Sequence, residues 1–94
     1  MSLDVHQLMD GKAKDHLLSI NSSEYVELLP AIELFRAKTG LFIDQYGDLK
    51  LSSGVSSLVE SLEATSTGNQ NYRSLIRVLR ASEEEGYGII FLGD

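Results

Sequence analysis

The stretch "LFIDQYGDLKLSSG", residues 41–54, sets two carboxylates, Asp44 and Asp48, around a Tyr-Gly pair. Paired acids of this kind can serve general acid–base chemistry or bind a cation. A calcium loop needs alternating oxygen ligands, a central glycine and a distant bidentate glutamate. "DQYGD" supplies two acids without the alternation, and no glutamate stands at the twelfth position. A glycosidase pair would need an enclosing cleft, which a small domain rarely forms. The pair is read first as turn chemistry, since aspartate is favoured at the start of a type I turn and Gly47 can follow in a left-handed bulge position.

The other reactive side chains give less. His6 and His16 are ten positions apart, without metal-ligand spacing. No serine lies in G-x-S-x-G, and the terminal "GYGIIFLG" contains G-x-G without the rest of a dinucleotide fingerprint. No cysteine is present, which removes disulfides, thiolate zinc sites and a cysteine nucleophile together. No catalytic set, cofactor or metal site is expected, and the chain is read as a non-enzyme.

The elements that must position these residues follow from periodicity. Asn21 with Glu24 fits a capping box. Tyr25, Leu28, Leu29, Ile32 and Phe35 then recur at helical spacing, and Gly40 marks a stop, so a helix is expected over about 23–39 with a kink or break near Pro30. A hairpin is expected over 41–51, pairing Ile43 with Leu49 and Asp44 with Asp48. It would gather Leu41, Ile43, Leu49 and Leu51 on one face. Directly opposed aspartates repel, so that register requires water, Lys50 or a partner's cation to relieve them.

Ser52 or Ser53 can cap a helix carrying Val55, Leu58, Val59 and Leu62. Asn71 can cap a second, with Tyr72, Leu75, Ile76 and Leu79 inward and Gly86 at its exit. A strand over 87–92, apolar on both faces, belongs inside the sheet or under a helix. Residues 1–20 are the least defined: "LDVHQLM" suits a short helix, and "AKDHLLSI" a second helix or the lead into a strand. The expectation is one α+β domain over 1–94, with an antiparallel or mixed sheet of about three strands and three to four helices.

Eight Lys and Arg against fourteen Asp and Glu give a formal charge of −6 and a pI near 4.7. Such a surface repels nucleic-acid phosphates and anionic membranes, and it speeds encounter with a basic protein. Arg73, Arg77 and Arg80 fall opposite the apolar stripe of their helix and read as a charged outer face. Glu83, Glu84 and Glu85 stand near that helix's C-terminus, where the dipole disfavours acids, a placement that the nearby Arg80 would make tolerable or that a docking basic partner would explain. The N-terminus lacks the basic and apolar regions of a signal peptide, and no segment is long enough to span a bilayer, so a cytoplasmic location is expected.

"FRAKTGLFIDQYGDLKLS" and the terminal "GYGIIFLGD" resemble segments of small acidic bacterial proteins, some of which are immunity proteins of toxin–immunity systems. The resemblance spans about a third of the chain. It implies a binding protein that neutralises a cognate basic toxin, such as a nuclease, while the acidic charge argues against a nucleic-acid partner. The residues expected to meet the partner are Asp44, Tyr46 and Asp48 at the hairpin tip, with Glu83, Glu84, Glu85 and Asp94. The alternative is a structural or regulatory module that self-associates, as a homodimer, through the edge of its sheet.

Overall fold

The computed structural model describes residues 2–65 and 68–93. The chain runs β1 (Ser2–Met9), β2 (Lys12–Asn21), α1 (Ser22–Thr39), β3 (Asp48–Leu51), α2 (Val55–Thr65), α3 (Gln70–Glu85) and β4 (Gly88–Leu92). The four strands form one antiparallel sheet in the order β2-β1-β4-β3. Leu3, Val5, Leu51, Ile89 and Phe91 enter a single core with the apolar stripes of the three helices. No helix among the described residues is long and apolar enough to cross a membrane.

The α+β class, the C-terminal strand inside the sheet and the three helices match expectation, while the sheet has four strands and not about three. The added strand comes from residues 1–20, which form a hairpin instead of helices. Its turn is Asp10-Gly11, with φ of 53° and 75°, between the paired Met9 and Lys12. Two consecutive left-handed residues match the right-handed twist of the strands they join, which is why Asp-Gly is favoured there. Leu3 and Val5 then point inward, and Asp4 and His6 outward.

The expected hairpin over 41–51 does not form. The turn itself exists: Tyr46 N–H donates to Asp44 Oδ1 at 3.0 Å and Gly47 N–H to the Asp44 carbonyl at 3.3 Å. Residues 41–44, however, are held by α1. The Tyr25 hydroxyl donates to the Ile43 carbonyl at 2.6 Å, Leu41 N–H donates to Thr39 Oγ1 at 3.1 Å, and Phe42 lies under the Arg36 guanidinium. β3 pairs with β4 instead. Ile43 and Leu51 still enter the core, but Leu41 is exposed, and Asp44 does not face Asp48 across a ladder.

The capping box of α1 is present, with Glu24 N–H to Asn21 Oδ1 and Asn21 N–H to Glu24 Oε1 both at 2.9 Å. The helix stays continuous through Pro30. Proline removes the N–H that would reach the Val26 carbonyl, and Val26 is 61% exposed, so water can serve that oxygen. α3 is capped by Asn69, two residues before the expected Asn71, through Asn71 N–H to Asn69 Oδ1 at 2.7 Å. α2 begins directly after Gly54, so neither Ser52 nor Ser53 sits next to its first residue.

Candidate functional site

β4 fixes the relation between the two acidic clusters. At its C-terminal end Leu92 pairs with Asp48 on one side and Asp4 on the other. The two aspartates therefore occupy one cross-sheet row, about 10 Å apart at two strand spacings. At the N-terminal end Gly88 follows closely on α3, whose last residues are Glu83, Glu84 and Glu85. About 13 Å of strand separates Gly88 from Leu92, so the structure does not join these glutamates to Asp44, Tyr46 and Asp48. Asp94, the remaining expected contact residue, lies outside the described residues.

The turn at 44–48 is held by the chain's C-terminal segment. Gly93 N–H donates to the Gly47 carbonyl at 3.0 Å and to Asp48 Oδ1 at 3.2 Å. A Cβ on Gly93 would lie 2.5–2.7 Å from Gly47 N, Gly47 O and Gln45 O, so only glycine permits this approach. Tyr46, at the tip, is 58% exposed.

Glu33 belongs with this end of the molecule. Burial, and then the negative charges of Asp44 and Glu33, push the Tyr25 hydroxyl above its ordinary pKa of 10.0. The folded chain holds that proton more tightly than the unfolded chain, so stability is retained below about pH 10 and falls as pH rises beyond it. Tyr25→Phe is expected to cost about 1–3 kcal/mol at neutral pH, by leaving the Ile43 carbonyl unpaired. It should also make the alkaline decline shallower. Urea unfolding of both proteins from pH 7 to 11 checks both effects, and parallel decline would refute the second.

Among the described residues the ion pairs are Arg80–Glu63, Lys38–Glu60 at 4.0 Å and His16–Asp4 at 3.5 Å. None of them involves Glu33, Asp44, Asp48 or Glu83–Glu85. Arg80 pairs with Glu63 on α2 and makes no ion pair with the acidic run that follows it. Asp4 is screened: its carboxyl is held below the ordinary value first by the Ser19 hydroxyl, with His16 adding to this against the opposing effect of burial. Sequence reasoning missed Asp4 and Glu33. The Asp10-Gly11 turn signal could have placed Asp4 on a strand, whereas only the tertiary structure brings Glu33 toward Asp44.

The sheet edges are β2 and β3, and Lys12, Lys14 and Lys50 lie along them. Charged edges, lysine above all, resist addition of another strand, which disfavours the edge-to-edge homodimer.

No protein-family model and no curated protein matches the chain. In fold it is similar to a solved structure, the Neisseria DNA mimic protein DMP12. The TM-score is 0.74 at 16% sequence identity, over 98% of this chain and 99% of that one. The shared fold extends over nearly the whole of both chains. This likeness overturns the expected partner. The protein that shares the fold is described as a mimic of DNA and not as the immunity partner of a toxin, so a basic toxin is set aside. The expectation of no nucleic acid among its interactions is corrected with it.

Proposed function

We propose that the chain is a non-enzymatic binding domain that offers carboxylates, in place of DNA phosphates, to a DNA-binding protein. The observation that carries this reading is the full-length fold likeness to a DNA mimic protein, in a chain of net charge −6 in which, among the described residues, Asp44, Asp48 and Glu83–Glu85 make no ion pair. A DNA-binding surface gathers Lys and Arg where phosphates will sit, and most of its non-specific affinity is electrostatic. A rigid set of carboxylates can satisfy the same cations. The Asp44–Asp48 turn is the best candidate contact. It is fixed by Tyr25 below and Gly93 behind, so its charges are held in place before binding.

The test is competition. The immobilised chain is used to capture proteins from its own host, and each captured protein is purified and bound to labelled duplex DNA. The chain is expected to displace the DNA, with an affinity that weakens as salt concentration rises. A captured protein that binds chain and DNA together, each without weakening the other, would overturn the reading.

A further inference from the structure

The fold brings both histidines of the chain together on the open face of the sheet, away from the helices. His6 and His16 are cross-strand partners in β1 and β2, at a point where the register shifts. Their rings stand edge to face with centroids 5.1 Å apart. Asp4 and Ser19, also cross-strand partners, complete the cluster.

The hydrogen bonds fix where the ring protons sit. The Lys14 carbonyl can only accept, so the His6 Nδ1 that lies 2.9 Å from it carries a proton, and His6 Nε2 keeps its lone pair. The Ser19 hydroxyl gives its hydrogen to Asp4 Oδ1 at 2.7 Å. Its oxygen therefore accepts from His16 Nε2–H at 2.8 Å. Asp4 and Ser19 thus address the same nitrogen of His16. A nucleophilic triad needs them on opposite nitrogens, so this is not a hydrolase site.

Metal ligation fits better. A His whose Nδ1–H is bonded to a backbone carbonyl, with Nε2 bare, is oriented as metal-binding histidines are. Two ligand atoms on one tetrahedral zinc, with bonds of about 2.0–2.1 Å, stand about 3.4 Å apart, and two imidazoles sharing that ion have centroids about 5 Å apart. Asp4 Oδ1 and His16 Nε2 are separated by 3.5 Å, and the rings by 5.1 Å. Among the described residues no three such side chains already close on one point, so the His16 imidazole must turn toward His6, which stays on its Lys14 hydrogen bond. His16, 49% exposed, has room to do so.

We infer that His6 Nε2, His16 Nε2 and Asp4 Oδ1 form a binding site for a zinc-class divalent cation, with solvent completing the coordination. As the ion enters, the proton on His16 Nε2 moves by exchange through solvent to Nδ1, so the ring stays neutral and Nε2 presents its lone pair. The inference does not rest on the DNA-mimic reading.

Zn²⁺ is titrated into the untagged full chain by calorimetry, with the histidine ring protons followed by NMR. One saturable site per chain, of micromolar affinity, is expected, with both sets of ring resonances shifting together. His6→Ala and His16→Ala should each abolish saturable uptake. His16→Gln, which keeps an N–H for Ser19, should do the same while retaining the fold, as judged by circular dichroism. Absence of saturable uptake in the unaltered chain, or uptake unchanged in His16→Gln, would overturn the inference.

Discussion

Phe35→Ala is expected to lower stability by about 3–5 kcal/mol, the usual cost of truncating a buried aromatic. Phe35 has no exposed surface, and it sits on the buried stripe of α1 with Tyr25, Leu28, Ala31 and Ile32. The neighbours cannot readily collapse into the space. Thr39 Oγ1 is bonded to the Phe35 carbonyl at 2.8 Å, and the next segment is tied to α1 through Leu41 and Ile43. A domain of this size has a total stability of roughly 5–14 kcal/mol, so one side chain decides a large fraction of it. Urea unfolding should show a lower midpoint with an unchanged slope. Val26→Ala is the control. It lies on the same helix at 61% exposure, and should change stability by no more than about 0.5 kcal/mol. A loss below about 1 kcal/mol for Phe35→Ala would contradict the packing described.

What the sequence disclosed divides along the range of the interactions. The α1 capping box, its apolar stripe and its Gly40 stop depend on residues within a few positions of each other, and all three are in the structure. The stripe from Tyr72 to Leu79 reads just as directly, because helical period and burial coincide there. Strand pairing is a different matter. The sorting of Ile43 and Leu51 to one side says that both meet the core, but not which strand lies beside either. β3 finds its partner about 40 residues downstream in β4, while residues 41–44 are taken by the Tyr25 hydroxyl and Thr39. A buried tyrosine seeking an acceptor for its O–H thus prevailed over a local pairing that hydrophobic pattern alone would allow.

The N-terminal misreading had a local remedy. "LDVHQLM" supports either period over so short a run, and the Asp10-Gly11 pair, the strongest short-range hairpin signal, was the feature to weigh. With β1 and β2 unrecognised as strands, His6 and His16 looked ten residues apart when they are cross-strand neighbours. The site suffered in the same way. Asp44 and Asp48 were legible as acids on a turn, but Asp4 joins the row only through the order β1-β4-β3. Glu83–Glu85 were legible as an acidic run, yet β4 carries them to the opposite end of the molecule.

That separation makes position, rather than net charge, testable. Asp44→Lys with Asp48→Lys raises the net charge from −6 to −2, since each replacement adds two charges to the value of the native chain. Glu84→Lys with Glu85→Lys raises it by the same amount. If only overall charge attracted a DNA-binding protein, the two double variants would lose affinity equally. If the turn is the contact surface, the aspartate pair should lose about 100-fold, or roughly 3 kcal/mol, and the glutamate pair far less, with its loss confined mainly to the association rate. The turn variant carries a structural risk, because Asp44 accepts from Tyr46 N–H and Asp48 from Gly93 N–H. Asp44→Asn with Asp48→Asn retains an oxygen acceptor at each position and removes only the charge. It should still weaken binding about tenfold while leaving the urea midpoint nearly unchanged. Binding kinetics measured on a captured DNA-binding partner at two salt concentrations separate these outcomes. Equal losses for the two lysine variants would move the contact away from the turn, and full binding by the asparagine pair would show that its carboxylates do not stand in for phosphates.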